Sequence, residues 1–523
     1  NIMNEDLNED CIISVLEKIA EELDGASILF QIALLNKKWN LLATKCLYKD
    51  PWKFWLYRRD PLLAKKLINT YILCNNANPR NSKAGRGDEP ISKKLCTKKN
   101  TQDTYTPRYD YISMAKNLHM PALYQCIERY YEPKESPTDI TDEVRLEVNN
   151  KFSQIFRKFI DSAHIKECTF HQSTSNDNDA YPVTLQDLNQ LIIAKGTILR
   201  YLNLGFFKCN DEGLEVLTKG CTALETFKIK ASDCSDRALA NFLRASRELK
   251  KLKIRDADGM KETMDAIKTQ SQSLVKLRIL NCNLENCTMP FTGIGDCTRL
   301  RSLYMRKIRF TTNTSLLSRL LMPIAHCEFH NIDFTETQLP VDVLIEIAKK
   351  SSTTLRRVHL IRPDEPDNGT AYINLSSGIK ALAQHATNLR HFERNIHPLE
   401  VDSICYFLDM IGRSLETLLI DSNMDEHDMS KLIEKIGRKC PNLSVLNISY
   451  FEFSLNAFES LVNGCSLLHT LIINFSESVN DRILELLNRA NALQSLEILG
   501  CPNISDEAID RFQREREIDV EYQ

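Results

Sequence analysis

The sequence lacks the features that would assign it to several common protein classes. Its 67 basic and 70 acidic residues leave a formal net charge of −3, so overall charge makes no case for binding nucleic acid or a membrane. It has no run of about 18 apolar residues, as a membrane-spanning helix requires. Its 17 cysteines include no Cys-x-x-Cys pair. We therefore expect free buried thiols in a reducing compartment, and no metal site.

Signatures of catalysis and of secretion are also absent. The chain has no Gly-rich phosphate loop, no Gly-x-Ser-x-Gly elbow and no His-Glu-x-x-His motif. His385, His391 and His397 lie close together in the sequence without a paired nucleophile or ligand set, which indicates surface or packing residues. The first ten residues are acidic and polar, with no apolar signal region. We expect a soluble, intracellular binding protein, cytoplasmic or nuclear, that is not an enzyme and uses no cofactor.

What the sequence does contain is a repeat of about 25 residues. Between Cys440 and Cys501 the pattern Leu-x-x-Leu-x-Ile occurs three times at that spacing. Its last two apolar positions alternate, as in a strand with one buried face, and a helical pattern follows each strand. One strand and one helix cannot bury their own apolar sides, so neighbouring copies must stack. The period and the spelling predict a leucine-rich-repeat array.

The same pattern extends back through residues 161–523, which we predict to hold about twelve repeats. The clear copies begin at Leu199, Leu224, Leu249, Leu274, Leu300, Leu355, Leu389, Leu415, Leu443, Leu468 and Leu493. Ile324/Cys327/Phe329 is a weaker copy, Ile165/Cys168/Phe170 an irregular first unit, and Ile518/Val520/Tyr522 a closing strand. The predicted fold class is α/β, with a curved parallel sheet inside and helices outside.

Cysteines occur at fixed places in these repeats. Four of them stand three residues before the first Leu of a unit: Cys221, Cys297, Cys440 and Cys465. This arrangement resembles the cysteine-containing leucine-rich repeats of the F-box/LRR ubiquitin-ligase receptors. The resemblance implies that the array binds a protein substrate.

Residues 1–57 form a helical module by pattern, and they resemble an F-box of the variant found in expanded fungal families. The residues that carry the resemblance are Leu7, Glu9-Asp10, Val15-Leu16, Leu35-Asn36-Lys37-Lys38-Trp39 and Trp52. The resemblance implies docking to a Skp-type adaptor on a cullin scaffold. The candidate adaptor-binding residues are Leu7, Ile12, Val15, Leu16, Leu35 and Trp39. Some of these must fill the module's own core, and the alternative is a three-helix cap for the array.

Residues 58–160 read as a helical linker and cap. A polar loop rich in Lys and Arg interrupts it at residues 76–109. That loop is either a localisation signal or a solvated loop.

Strand alternation also predicts which side chains face the concave side of the array. Eight basic residues and no acid fall on four neighbouring strands. We call this set the basic stripe: Lys228, Lys230, Lys251, Lys253, Arg255, Lys276, Arg278 and Arg306. Together with Tyr304 these are the candidate substrate-binding residues, for an acidic or phosphorylated segment. The alternative is a solvated strand face.

The sequence therefore predicts the substrate-recognition subunit of a Skp–cullin–F-box ubiquitin ligase. Two alternatives stay open. One is a non-enzymatic scaffold or inhibitor with a helical cap. The other is a repeat protein that binds phosphate or nucleic acid, which the lack of aromatic stacking platforms beside the stripe disfavours.

Overall fold

The computed structural model describes residues 16, 29, 37–52, 64, 66–71, 111–131, 142–171, 183–310, 313–361, 374–422, 429–516 and 518–522. The chain divides into two compact units, residues 1–208 with 215–224, and residues 209–214 with 225–523. Among these described residues, no helix combines the length and apolar character needed to cross a membrane.

The described part of the first unit combines helices with three parallel strands. The strands pair in chain order: β1 (Asn117–His119), β2 (Glu167–His171) and β3 (Tyr201–Phe206). The helices are α1 (Lys37–Lys49), α2 (Tyr111–Met114), α3 (Met120–Tyr131), α4 (Asp142–Ser162) and α5 (Leu185–Lys195). A further helix, α6 (Asp211–Gly220), contains the boundary between the units.

Trp52 lies in the interior of the first unit. Its side chain is fully buried, its indole N–H donates to the carbonyl of Asn117 at 3.0 Å, and its ring centroid is 6.0 Å from that of Phe159. A buried Trp needs such a partner for its N–H. The late Trp of the predicted helical module therefore packs against helix α4 and strand β1 of the predicted cap.

Strand β1 corrects the prediction that residues 110–160 are helical apart from turns. Leu118 is buried and pairs with Cys168 of β2, so the repeat-like strand pattern begins before the predicted first unit. The strand has only three residues. Three residues are too few to show an alternation against the helical pattern on both sides.

The second unit is a run of parallel strands, each paired with the next along the chain. Its strands are β4 (Thr226–Lys230), β5 (Lys251–Arg255), β6 (Lys276–Leu280), β7 (Ser302–Arg306), β8 (Asn331–Asp333), β9 (Arg357–His359), β10 (His391–Asn395), β11 (Thr417–Asp421), β12 (Val445–Asn447), β13 (Thr470–Ile472), β14 (Ser495–Ile498) and β15 (Asp519–Tyr522).

A helix joins each of these strands to the next. The α-helices are α7 (Asp236–Ala245), α8 (Lys261–Ala266), α9 (Thr292–Gly295), α10 (Thr314–Leu321), α11 (Val341–Lys350), α12 (Ser376–His385), α13 (Val401–Ile411), α14 (Ser430–Lys439), α15 (Leu455–Gly464), α16 (Asp481–Leu487) and α17 (Asp506–Arg516). Short 3₁₀ turns lie at Ile267–Gln270, Met322–His326, Pro398–Glu400 and Gly412–Ser414.

One face of this sheet forms the core, and the other carries the half-exposed side chains. Along β4, β6 and β11 buried and half-buried residues alternate. The buried set faces the helices: the ring of Phe227 lies 4.5 Å from that of Phe242 in α7, and Phe392 lies 4.5 Å from Phe407 in α13. This is a leucine-rich-repeat architecture, and it confirms the predicted fold class. We call the second face the exposed sheet face.

Adjacent helices are also linked at their first turns. Ser235 caps α7 by accepting a hydrogen bond from the N–H of Ala238, and its own hydroxyl donates to Asp211 at 2.8 Å. Asp481 accepts from the hydroxyl of Ser505 at 2.9 Å in the same way, one repeat from the C-terminus. A capping serine is typical of a helix start. Here the cap also ties one repeat to its neighbour.

The predicted weak copy at Ile324/Cys327/Phe329 is wrong in its register. Strand β8 begins at Asn331, and Ile332 pairs with Leu303 of β7. Both spellings fit Leu-x-x-Leu-x-Ile, because Phe329, Ile332 and Phe334 repeat the same apolar spacing and are all buried. Ile324 instead lies in the 3₁₀ turn before the strand. On β8 itself Asn331 is half-buried, whereas Ile332 and Asp333 are buried.

The predicted thiols of the repeats are buried and free. The Sγ of Cys465 lies 3.4 Å from the carbonyl oxygen of Cys440 in the preceding repeat, and that of Cys297 lies 3.3 Å from the carbonyl of Gly293. Burial raises the pKa of the Cys221 and Cys465 thiols to about 12. These cysteines act as small core residues that satisfy backbone carbonyls.

Candidate functional site

The basic stripe lies on the exposed sheet face of strands β4 to β7. The strand register places Lys228, Lys253, Arg278 and Tyr304 directly beside one another in a single row. Adjacent strands are about 4.8 Å apart, so neighbouring charged groups of this row are within reach of each other. The tertiary structure thus brings together side chains that are about 25 residues apart in the chain.

Lys253 shows how strongly positive this face is. Its pKa lies below the usual lysine value, first because it is partly buried and then because Arg278, Lys228 and two further arginines lie close by. Each of these causes disfavours the charged form of the amine. An anion placed on this row would therefore interact favourably with several cations at once.

Two cations at the edge of the stripe already have acidic partners within the protein. The Nε of Arg255 donates to the carboxylate of Asp256 at 2.9 Å, and the Nε of Arg306 donates to that of Asp333 at 2.6 Å. Asp333 is fully buried, so its negative charge is neutralised by this pair. The sequence predicted these arginines as binding residues but did not place Asp333 on the neighbouring strand.

Tyr304 forms a base on which two cations of the stripe rest. The Nζ of Lys276 lies 4.9 Å from the ring centroid, and the Cζ of Arg278 lies 4.8 Å from it. The ring attracts both through its negative face. The Nε of Arg278 is buried and has no hydrogen-bond partner within the described ranges. A guanidinium held in this way is suited to a planar, two-point contact with a carboxylate or phosphate.

The predicted adaptor-binding residues lie mostly outside the described residues. Leu7, Ile12, Val15 and Leu35 are among those not described, and Trp39 belongs to helix α1 without a described side chain. Leu16 is 1% exposed, so it fills the interior of the first unit rather than offering a surface. The adaptor surface itself stays a prediction.

A second group of polar side chains lies on strands β9 and β10. Glu393 pairs in register with His359, and His391 stands two residues before Glu393 on the same side of the strand. The Nδ1 of His359 is hydrogen-bonded to Glu393, and the rings of His359 and His391 are 4.5 Å apart. Burial, then the neighbouring His359, lowers the pKa of His391 to about 4.

This group is not visible among histidines that are close along the chain, because its members come from two successive repeats. His385 and His397 do not belong to it, whereas His359 does, from the previous repeat. A signal was nevertheless present, because His359 and Glu393 occupy the same position of Leu-x-x-Leu-x-Ile in successive units. Equivalent positions of neighbouring repeats lie side by side in a parallel sheet.

Comparisons with known proteins add a likeness in fold. No protein-family model matches the chain, and no curated protein matches it. Among solved structures, one chain of the yeast Rad7 and Elc1 complex is similar at 15% identity and a TM-score of 0.41, covering 70% of this chain and 92% of that one. A leucine-rich-repeat protein of Leptospira interrogans is similar at 16% identity and a TM-score of 0.37, covering 71% and 92%. At these values neither neighbour indicates what this protein binds.

Proposed function

We propose that this protein is a non-catalytic recognition subunit whose basic stripe binds an acidic or phosphorylated segment of another protein. The observation that carries the proposal is the register of β4 to β6, which places Lys228, Lys253 and Arg278 side by side. Crowded like charges repel one another, and an anionic segment across the strands would relieve that repulsion. Arg278, which packs against the ring of Tyr304, adds a guanidinium to the same row of cations.

Protein is favoured over nucleic acid by the scarcity of stacking surfaces. Tyr304 is the single aromatic residue among the exposed positions of β4 to β7. Its ring already carries Lys276 and Arg278. Single-stranded nucleic acids are usually held on aromatic platforms that stack successive bases. A flexible acidic peptide needs only the cations.

The finer proposal is that the protein selects substrates for a Skp–cullin–F-box ubiquitin ligase. It rests on the resemblance of residues 1–57 to an F-box and of the repeats to cysteine-containing leucine-rich repeats. In this arrangement the N-terminal helices bind the adaptor and the stripe holds the substrate. The ligase then gains rate by proximity, because substrate lysines are kept near the charged transferase.

Charge reversal tests the stripe. The variant Lys228→Glu/Lys253→Glu/Arg278→Glu should bind a doubly phosphorylated serine peptide and an oligoglutamate peptide at least about tenfold more weakly, since several charge contacts of about 1 kcal/mol or more are lost. Fluorescence anisotropy at two salt concentrations measures this. Wild-type affinity should fall as salt rises.

The matched control places glutamates on the exposed sheet face elsewhere. Asn447→Glu/Thr470→Glu/Ser495→Glu lies on β12 to β14, among half-buried positions of the same kind. It should bind both peptides like wild type. Equal affinity of the stripe variant and wild type at both salt concentrations would refute the proposal.

Co-purification tests the connection to a ligase. The intact chain should recover a Skp-type adaptor in stoichiometric amount, and Leu7→Ala/Leu35→Ala/Trp39→Ala should lose it. Leu16 is left unchanged because its buried side chain belongs to the core of the first unit. Failure of the intact chain to recover the adaptor would favour a scaffold with a helical cap, whatever the peptide result.

A further inference from the structure

Two histidines and a glutamate converge on the exposed sheet face where β9 meets β10. His359 and Glu393 face each other across the two strands, and His391 comes from the same strand as Glu393. Each offers one ligand atom, a ring nitrogen or a carboxylate oxygen, and these three atoms all lie within 4.8 Å of one another. Within the described residues this is the one group of His, Cys, Asp and Glu so arranged.

The geometry is close to what a bound transition metal ion requires. Zinc bonds to His nitrogen and carboxylate oxygen are about 2.0–2.2 Å long, so the ligand atoms of a tetrahedral site lie about 3.3 Å apart. Small side-chain rotations bring atoms within 4.8 Å to that separation. All three residues are half-buried on the exposed sheet face, where the strands fix their positions.

The hydrogen bond between His359 and Glu393 does not explain why His391 lies beside them. A plain hydrogen bond between His359 and Glu393 accounts for two of the three groups. The Nε2 of His391 is buried and has no hydrogen-bond partner in the part of the chain that the structure describes. Leaving a buried polar atom unpaired costs about 1–3 kcal/mol. A metal ion would use this nitrogen and join it to the other two ligands.

The surrounding charges are compatible with such an ion. Asp333 of β8 lies beside His359 and is paired with Arg306. Arg357 lies beside His391, and its positive charge disfavours the binding of a metal cation. The carboxylate of Glu393 offsets one positive charge directly. These neighbours indicate an affinity set by the three ligands rather than by a strongly negative surface.

We propose that His359, His391 and Glu393 bind a divalent transition metal ion, with zinc as the expected occupant. Imidazole and carboxylate ligands suit zinc, and zinc binds such sites more tightly than iron or cobalt do. Three protein ligands leave one coordination position open towards the exposed sheet face. The site shares no residue with the basic stripe, and its existence does not depend on the proposed function.

Metal titration of the full chain tests the site. After removal of bound metal with a chelator, isothermal titration with Zn²⁺ and visible absorption with Co²⁺ should detect one site that the variant His391→Ala loses. Loss of a ligand should weaken binding by more than the roughly 10–100-fold that loss of a supporting hydrogen bond costs. Glu393→Gln keeps the size of the side chain and should weaken binding in the same direction.

His469→Ala is the matched control, because His469 is a half-buried strand-edge histidine whose Nδ1 contacts the Thr470 hydroxyl. It should bind Zn²⁺ like wild type. Circular dichroism checks that each variant is folded. The proposal is overturned if the wild type binds no metal, or if His391→Ala and Glu393→Gln, both folded, bind Zn²⁺ with unchanged stoichiometry and affinity.

Discussion

Strands β4 to β7 and strands β11 to β14 have the same buried side and different exposed sides. The central buried residues of the first set are Phe227, Leu252, Leu277 and Leu303, and those of the second are Leu418, Leu446, Leu471 and Leu496, all at most 1% exposed. On the exposed sheet face the first set carries the basic stripe. The second carries no basic residue there, and has neutral residues such as Thr417 and Asn447 together with the acids Asp421 and Glu497. The repeat thus constrains one face of each strand and leaves the other free for recognition.

The turns after the strands also share a backbone conformation in the two regions, while their side chains differ. In the first region Asp256 and Asn281 have positive φ and are joined by a hydrogen bond of 2.7 Å. In the second region Tyr450 and Phe475 have the same backbone conformation, and their exposed rings stack 4.8 Å apart. Gly500 continues the series with φ +62. One backbone geometry therefore carries a polar ladder in one region and an aromatic stack in the other.

Strand β10 lies between the two regions and departs from both on its buried side. Arg394 takes the place of an apolar core residue and is 2% exposed. It forms a salt bridge with the fully buried Glu400 at 2.8 Å and donates to the carbonyl of Leu360 at 2.8 Å. Glu400 also accepts from the N–H of Leu375. The polar residue that the sequence shows at this position is therefore satisfied within the core.

The largest loss of stability is expected from breaking the salt bridge between Arg394 and Glu400. Glu400→Ala should lower the free energy of unfolding by about 3–5 kcal/mol, because it leaves the Arg394 charge buried without an opposite charge. Urea unfolding followed by circular dichroism measures the change. The double variant Arg394→Met/Glu400→Met removes both charges and should be markedly more stable than Glu400→Ala. If Glu400→Ala lowers the free energy of unfolding by less than about 1 kcal/mol, the pair does not stabilise this part of the core.

Matched core substitutions test whether the two regions share one interior. Leu252→Ala on β5 and Leu471→Ala on β13 remove equivalent, buried side chains. Each should lower the free energy of unfolding by about 2–5 kcal/mol, through lost burial and the cavity left behind. Chemical denaturation of the two variants side by side is the measurement. A cost below about 1 kcal/mol for either variant would show that the two strands do not share an equally well-packed interior.

The smallest effect is expected from removing one charge of the stripe. Lys253→Met should raise the free energy of unfolding by about 0.2–1 kcal/mol at low salt, because like charges on adjacent strands repel. Added salt should shrink the gain. Ile472→Met, on β13, is the control and should show no salt-dependent gain. A loss of stability at low salt would contradict the crowding of cations.

The substitution Lys253→Met should also change how the stability of the protein depends on pH. The folded-state pKa of Lys253 is lowered, so between that value and the ordinary lysine pKa the unfolded chain holds more protons than the folded one. Stability therefore rises with pH across that window in the wild type. Lys253→Met should lose this contribution. Thermal unfolding at a series of alkaline pH values, with Ile472→Met alongside, measures it.

The sequence alone was sufficient for the fold class and for the row of cations. Both depend on alternation within single strands, which a regular 25-residue period makes visible. It was insufficient at β1 and β8, where a three-residue strand or two competing apolar spacings hid the register. It also did not separate Leu16, which is buried, from the other candidate adaptor residues.

Local patterning thus determined the repeat, its strands and helices, and which side chains are exposed, because these follow from neighbours only a few residues apart. Only the tertiary structure decided which exposed side chains meet. The pairing of Arg306 with Asp333 and the grouping of His359 with His391 and Glu393 join residues about 30 positions apart, in repeats of unequal length. A shift in the register of a single strand moves every side chain along its neighbour, so such contacts are set by the stacking of the whole array.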